Sequence, residues 1–154
     1  MYNRSYWYDR VNRVLKNSDV QSPLTLMLID IDYFKQINDQ YGHSIGDDVL
    51  QAIARVVVDN VPENAIAGRL GGDEFAIVLQ ADAAQAQNYA EQICQQIAKL
   101  TFAKAKALQC TVSIGLAENQ DTITALRQWF DLADQTMYQA KSKGRNQVQA
   151  VEHS

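Results

Sequence analysis

Two adjacent carboxylates, Asp73 and Glu74, directly follow the glycine pair Gly71-Gly72 in this chain. Apolar, strand-like runs flank them at 66–70 and 75–79, and this pattern predicts a β-hairpin with a tight two-residue turn at the glycines. Like charges at a hairpin tip repel each other unless a cation binds there, and glycine lets a bulky anion approach the backbone closely. The tip is therefore predicted to bind a metal-bound phosphate.

A second pair of carboxylates, Asp30 and Asp32, follows the apolar run 24–29. This run predicts a buried central strand, whose alternation would point both side chains to one face. An aspartate at the end of a buried strand needs a partner for its charge, and Mg²⁺ binds one or two carboxylates together with water and phosphate. We therefore predict that Asp30 is a metal ligand. Asp32 precedes a predicted helix and is expected to be only its N-cap.

Three polar side chains, Asn38, His43 and Asp47, bracket a loop punctuated by Gly42 and Gly46. A carboxylate can accept hydrogen bonds from the N1–H and N2–H₂ edge of guanine, and it would reject adenine, which lacks that donor pair. The alternative is that Asp47 caps the start of one helix and Asn38 the end of another. On the residues alone, capping is favoured by roughly two to one.

Two basic side chains, Lys141 and Arg145, lie at the end of the last predicted helix. They could simply offset the helix dipole, or they could bind the phosphates of a nucleotide, which Arg grips bidentately and Lys attracts as a point charge. Spacing alone leaves both explanations open.

The elements that must position these side chains alternate along the chain. Helices are predicted over 5–15, 33–38, 47–60, 83–100 and 122–142, the last with Gly144 as its C-cap, and strands over 24–30, 66–70, 75–79, 110–117 and 147–151. After the first helix the order is βααββαβαβ. This order predicts an α+β fold with a mixed sheet and helices packed largely on one face.

Composition narrows the class of protein. The 154 residues fit one domain, and the net charge of −4 makes a large duplex nucleic acid an unexpected partner. No apolar run reaches membrane-spanning length and no signal peptide is recognisable, so a cytoplasmic segment is expected. The only cysteines, Cys94 and Cys110, fall in a helical and a strand pattern, and we expect both to be reduced core residues.

Four separated blocks of the sequence resemble the GGDEF family, the diguanylate cyclases. They are Asp30 to Lys35, Asn38-Asp39 through Gly46-Asp47, Arg69 through Phe75, and Ala133-Asp134 through Asn146; the strand Thr111 to Gly115 is also similar. The resemblance covers almost the whole chain. It implies a ferredoxin-like palm, similar to class III nucleotide cyclases and polymerases, with the Gly-Gly hairpin at the active site.

The resemblance also implies a reaction. Such domains condense two GTP into cyclic di-GMP, a bacterial second messenger, and release two pyrophosphates across a homodimer. It implies two Mg²⁺ (or Mn²⁺) ions bound by Asp30, the carbonyl of Ile31, Asp73 and Glu74. Asp73 or Glu74 would deprotonate the 3′-hydroxyl, and the sequence leaves open which. The remaining roles are guanine binding by Asn38 and Asp47 and proximity of His43, Gly71 and Gly72 to the nucleotide. The resemblance also implies that Lys35, Lys141 and Arg145 act on the phosphates and on the charge of the transition state, with Lys35 as a catalytic residue.

Two departures from the family pattern shape further expectations. The usual Asp-x-Leu-Thr opening is missing before Asn3-Arg4, so we expect a longer parent protein with an upstream sensory part, which could be membrane-anchored. The family's inhibitory Arg-x-x-Asp motif would fall on residues 62–65, which read Pro-Glu-Asn-Ala, so no primary product-inhibition site is expected. The alternatives are a degenerate domain that binds GTP or a partner without turnover, and a cyclase with another product.

Overall fold

The computed structural model describes residues 1–17, 22–119 and 125–151. The helices are α1 (Arg4–Asn17), α2 (Phe34–Tyr41), α3 (His43–Asn60), α4 (Ala83–Ala98) and α5 (Leu126–Ser142). The strands are β1 (Thr25–Ile31), β2 (Ile66–Gly71), β3 (Glu74–Leu79), β4 (Val112–Glu118) and β5 (Gln147–Ala150). The order after α1 is βααββαβαβ, as predicted. The first residues of the helix predicted over 122–142 lie outside the described residues.

The sheet is mixed and has the order β2-β3-β1-β4-β5. β1 runs antiparallel to β3 and β4, β2 and β3 form an antiparallel hairpin, and β4 and β5 are parallel. All seven residues of β1 are buried. The prediction of a central strand is therefore confirmed, and β1 brings its carboxyl end between the hairpin and β4.

Helices cover both faces of the sheet, so the prediction of helices largely on one face was wrong. One core lies between α2, α3, α4 and the side of β1 that carries Met27, Ile29 and Ile31. The other lies between α1, α5 and the side that carries Leu26 and Leu28. A strand that is apolar on both faces needs a layer of structure on each of them to exclude water. The apolar run of β1 therefore requires the second helical layer.

The start of the chain is fixed to β2. The indole of Trp7 is fully buried against Gly68 and donates a hydrogen bond to the carbonyl of Ile66 at 2.9 Å. Tyr2 pairs with the same strand through its N–H to the carbonyl of Ala67 at 2.9 Å. These contacts join α1 to the strand that leads into the hairpin.

The ends of two helices bear on the site. α3 begins at His43, four residues earlier than predicted. α5 ends with Lys143 as the C-cap and Gly144 at φ 120°, one residue later, because the N–H of Arg145 turns back to the carbonyl of Ala140 at 2.9 Å. Gly144 therefore ends the helix as the residue after the cap.

Two expectations from composition can be compared with the described residues. Cys94 and Cys110 are both buried and free, as predicted, and burial raises the pKa of each thiol to about 11. None of the described helices combines the length and the apolar character that crossing a membrane would need.

Candidate functional site

The hairpin tip has a two-residue turn, but the turn is displaced by one residue from the predicted position. Gly71 pairs with Glu74, so Gly72 and Asp73 form the turn, and the register shifts between Arg69 and Gly71. The Arg69 side chain closes the tip by donating from Nε and Nη2 to the carbonyl of Gly72 at 3.3 and 3.0 Å. The irregularity next to Leu70, which spacing alone does not reveal, accounts for the displacement.

The hairpin brings the predicted acidic residues together at the end of β1. Asp30 and Glu74 are register partners on β1 and β3, and the N–H of Ile31 donates to the carbonyl of Asp73 at 3.1 Å. Asp30 Oδ1 and Glu74 Oε1 are both buried without a hydrogen-bond partner. Two carboxylate oxygens in this condition, on neighbouring strands, are costly unless a cation compensates them.

Burial also controls the protonation of these acids. It raises the pKa of Asp30 to about 6, an effect that the neighbouring Asp73 reinforces and the hydrogen bond from Lys141 opposes. Burial likewise raises the pKa of Glu74, followed by the charges of Asp134, Asp30 and Asp73, while Arg4 lowers it. Asp134 belongs to one of the four matching blocks and Arg4 lies before all of them, and residue types alone gave neither a role at this site.

The acidic cluster fits a divalent cation in one specific way. In the described part of the chain, no three Asp, Glu, His or Cys side chains are grouped closely enough to hold a metal by themselves. Mg²⁺ does not require such a cage, because it commonly takes one or two carboxylates and completes its shell with water and substrate phosphate. The unpartnered oxygens of Asp30 and Glu74 are ligands of this kind.

Lys141 enters the cluster from the last turn of α5. Its ammonium pairs with Asp30 Oδ2, and its side chain is 28% exposed. The sequence predicted a cation near phosphate or near the helix dipole, and the structure places it beside the acids. An ammonium here can offset charge in the cluster and still reach solvent.

Asp32 is not the N-cap of α2, so this prediction was wrong. The capping position belongs to Tyr33, which is left-handed at φ 57° and makes no side-chain cap bond. Asp32 is 3% exposed and accepts hydrogen bonds from Thr111 Oγ1 at 2.7 Å, Ser113 Oγ at 2.7 Å and the N–H of Asn146 at 3.0 Å. Two hydroxyl residues alternating at the start of a strand were the sequence signal for this junction.

Arg145 lies in the turn between α5 and β5, next to Tyr33 at the start of α2. Its guanidinium lies 4.6 Å from the centroid of the Tyr33 ring. Arg145 and Asn146 both have left-handed backbones, at φ 64° and φ 47°. Such conformations are uncommon for residues other than glycine and are typical of constrained functional turns.

The predicted guanine-binding residues meet at the corner between α2 and α3. Asn38 lies inside α2 rather than at its end, and Asp47 is exposed on the second turn of α3, so neither is the helix cap that the alternative required. The Asn38 amide packs on Gly46, where an added Cβ would lie 1.9 Å from Asn38 Oδ1. Asp47 directly follows Gly46, so its backbone lies next to the residue on which the Asn38 amide packs.

The other two predicted residues of this region are solvent-accessible. His43 is exposed at the start of α3, and Lys35 is exposed in the first turn of α2. His43 therefore lies at the corner between α2 and α3, and Lys35 lies at the other end of α2.

A sequence model of the family described as "Diguanylate cyclase, GGDEF domain" matches residues 1–147. The chain belongs to the GGDEF domain family of diguanylate cyclases. Enzymes of this family are generally metal-dependent, which agrees with the unpartnered oxygens of Asp30 and Glu74. The likeness covers the hairpin, the α2–α3 corner and nearly all of the described sheet.

Individual relatives agree with this membership. The probable diguanylate cyclase DgcT of Escherichia coli is 32% identical over 152 residues, which is 96% of this chain and 33% of that protein. The GGDEF domain of DgcB from Caulobacter crescentus, in complex with c-di-GMP, has a TM-score of 0.90 at 29% identity, covering 97% of this chain and 91% of that one. The diguanylate cyclase SiaD from Pseudomonas aeruginosa, in complex with its activator SiaC, has a TM-score of 0.90 at 30% identity and covers 97% and 58%. The chain spans 33% of the length of DgcT and at most 48% of the lengths of the similar curated diguanylate cyclases and response regulator.

Proposed function

We propose that this GGDEF domain condenses two GTP into cyclic di-GMP and releases two pyrophosphates. The observation that carries the proposal is the pair of buried, unpartnered oxygens, Asp30 Oδ1 on β1 and Glu74 Oε1 on β3, beside the turn of the Gly-Gly hairpin. A fold that leaves two acids in this state is built for a cation and for the phosphates that accompany it. Family membership makes GTP the substrate to test first.

The metal site would use the acids that the hairpin gathers. Asp30, the backbone carbonyl of Ile31, Asp73 and Glu74 would hold two Mg²⁺ or Mn²⁺ ions. Bound metal supplies Lewis acidity, which lowers the pKa of a coordinated hydroxyl and offsets charge on a phosphoryl group. The glycines at positions 71 and 72 are exposed, and an added Cβ at either would meet open space, so a phosphate can approach the backbone there.

The chain's own acids would move the proton. Asp73 or Glu74 would accept it from the 3′-hydroxyl of one GTP, whose oxygen then forms a bond to the α-phosphorus of the other while the bond to pyrophosphate breaks. Burial and neighbouring charges raise the pKa of Glu74, which brings it closer to the working pH of a general base. This shift suits Glu74 to the role.

Cations and polar groups would bind the rest of the nucleotide. The Lys141 ammonium would leave its ion pair with Asp30 and bind phosphate oxygens instead. Arg145 would bind phosphate bidentately, and Lys35 would add a third positive charge. Asn38 and Asp47 would bind the guanine edge, with His43 near the nucleotide. Guanine is favoured because an unpaired carboxylate would penalise adenine.

The reaction would require two domains. Each copy would hold one GTP, and the two sites would face each other in a homodimer. We further propose that the chain is a single domain of a longer signalling protein, whose upstream part controls this encounter, and that it works in the cytoplasm. The complex of SiaD with its activator supports control of such domains by a partner.

Incubation of the purified chain with GTP and Mg²⁺, followed by chromatography of the nucleotides, tests the proposal. We expect cyclic di-GMP and pyrophosphate in a 1:2 ratio from GTP, no product from ATP, and none with Asp30→Asn. Binding of a non-hydrolysable GTP analogue would instead show a degenerate domain if GTP itself gave no product. This test uses high protein concentration and either Mg²⁺ or Mn²⁺. A different cyclic product would show another cyclase.

A further inference from the structure

Asp32 lies two residues from the acidic cluster, yet its carboxylate belongs to a separate junction. Three neutral donors meet it: the hydroxyls of Thr111 and Ser113 and the N–H of Asn146. The ion pairs within the described ranges are Arg13 with Asp9 and Lys141 with Asp30, and neither involves this carboxylate. A buried carboxylate without a cation is costly unless hydrogen bonds stabilise it. Three of the roughly four acceptor sites of this carboxylate are used within the protein, and neither of its oxygens is unpartnered, so Asp32 is not counted among the metal ligands.

The backbone that Asp32 contacts is strained. Arg145 and Asn146 are consecutive left-handed residues that are not glycine, and they follow Gly144 at φ 120°. Such conformations persist only when the surrounding structure fixes them. Two hydrogen bonds do so here: the N–H of Arg145 donates to Ala140 in α5 at 2.9 Å, and the N–H of Asn146 donates to Asp32 Oδ2 at 3.0 Å. Asp32 therefore secures the end of the turn that α5 does not reach.

The same carboxylate is linked to the group on which Arg145 rests. Tyr33 directly follows Asp32, has a left-handed backbone at φ 57°, and presents its ring 4.6 Å from the Arg145 guanidinium. Asp32 therefore directly precedes Tyr33 in the chain. It is also hydrogen-bonded to Asn146, the residue that follows Arg145.

We propose that Asp32 is a positioning residue, whose carboxylate fixes the Asn146 turn so that Arg145 is preorganised over Tyr33 to bind a phosphate of GTP. The inference rests on the proposed function for the role of Arg145, and it adds the residue that aims it. A long arginine side chain loses conformational freedom when it binds phosphate, and a turn fixed in advance reduces that loss.

Two substitutions separate hydrogen bonding from charge. In Asp32→Asn the amide oxygen can still accept from Thr111 and Asn146, and the Ser113 hydroxyl can rotate to accept from the amide N–H. We expect this variant to retain most of its kcat/KM. Asp32→Ala removes all three bonds, and we expect a loss on the order of ten- to a hundredfold. If Asp32→Asn loses as much as Asp32→Ala, the negative charge matters rather than the positioning, and the proposal is wrong.

A double-mutant cycle with Arg145→Ala tests whether Asp32 acts through Arg145. In the Arg145→Ala background, Asp32→Ala should cause little further loss, since the residue to be aimed is gone. Thr25→Val is the matched control, because Thr25 is buried at the opposite end of β1 and donates to the carbonyl of Ala81 at 2.8 Å. This control loses one buried hydrogen bond and should leave kcat/KM unchanged. An undiminished effect of Asp32→Ala without Arg145 would overturn the proposal.

Amide hydrogen exchange at Asn146 supplies a measurement that does not depend on turnover. Protection of this N–H should be lost in Asp32→Ala and kept in Asp32→Asn and Thr25→Val; unchanged protection in folded Asp32→Ala would overturn the proposal. Should Asp32→Ala fail to fold, Thr111→Val and Ser113→Ala each remove one donor and should each weaken the protection, and full protection in both would overturn it. A wild-type chain without cyclase activity but with this exchange pattern would contradict the proposed function alone.

Discussion

At the scale of single residues, the site breaks the rule that buried polar atoms are hydrogen-bonded. Asp30 Oδ1 and Glu74 Oε1 lack hydrogen-bond partners. Two residues further along the chain, both carboxylate oxygens of Asp32 accept hydrogen bonds, from three donors in all. Proteins tolerate such exceptions mainly where function requires them. The contrast is between a carboxylate oxygen left without a partner, on Asp30, and a carboxylate whose two oxygens are both hydrogen-bonded, on Asp32.

Asp30→Asn should abolish turnover while stabilising the metal-free fold at neutral pH. Burial raises the pKa of Asp30 from 3.8 to about 6, so the folded protein binds this proton more tightly than the unfolded chain. The stability that Asp30 contributes is present below about pH 4 and is lost as pH rises through about 6, at about 1.4 kcal/mol per pKa unit. Urea unfolding of both proteins in the presence of a chelator measures this at pH 4 and pH 7. The free energy of unfolding of the variant, relative to that of the wild type, should be higher at pH 7 than at pH 4. A constant difference, or near-normal turnover at saturating Mg²⁺, would contradict the assignment.

Asp73→Asn should also abolish turnover.

Asp47→Ala should narrow the preference for GTP over ATP, because it removes the group proposed to accept from guanine. Nucleotide binding, measured for both bases by calorimetry, should weaken far more for GTP. Asp59→Ala is the matched control, since it removes the same charge from an exposed position near the other end of α3. An equal loss for both nucleotides would show that Asp47 does not select the base.

At the scale of elements, the sequence predicted what local patterns determine. The apolar run of β1, the hairpin and the order of the elements follow from periodicity and turn residues. The face of the sheet on which each helix packs does not follow from these patterns. An amphipathic pattern shows which side of a helix is buried, but it does not show which face of the sheet covers that side. The partners of Asp32 were likewise hidden, because they lie 79, 81 and 114 residues away in the chain.

Gly115→Ala should separate α5 from β4. An added Cβ there would lie 2.3 Å from the backbone nitrogen of Met137 and 2.5 Å from the carbonyl oxygen of Ala133, and backbone atoms cannot rotate away. We expect a loss of about 1–3 kcal/mol in the free energy of unfolding, together with reduced turnover, since α5 carries Lys141. Gly71→Ala is the control for stability, because the added Cβ would meet no atom within 4 Å. Equal denaturation midpoints for the two variants would contradict this packing.

At the scale of the whole molecule, the proposed reaction needs two copies of the domain. Specific activity should therefore rise with protein concentration, and tethering two copies should raise it at high dilution by increasing their effective concentration. Initial rates over a series of enzyme concentrations, with the oligomeric state followed in parallel, measure this. Constant specific activity in a chain shown to be monomeric would contradict the two-copy mechanism.

Product control should be absent at the turn that links α3 to β2. Residues 62–65 are largely exposed, and the N–H of Ala65 closes the turn on the carbonyl of Pro62 at 3.0 Å. Pro62 offers neither a charge nor a backbone donor and Ala65 offers no side-chain acceptor, so neither phosphate nor guanine would find its partner. Titration calorimetry with cyclic di-GMP should show no tight binding to this turn. Submicromolar affinity that is lost on substituting these four residues would contradict the expectation.

The chain's two tryptophans are fully buried on the same side of the sheet, where Trp7 bonds to β2 and Trp129 donates to the carbonyl of Ala117 at 2.7 Å. Tryptophan fluorescence, excited selectively over that of the seven tyrosines, will therefore report on one side of the sheet only. Opening of the layer formed by α2, α3 and α4, which includes the corner proposed to bind guanine, would leave the emission spectrum almost unchanged. A fluorophore attached to α3 would make that hidden half of the protein visible.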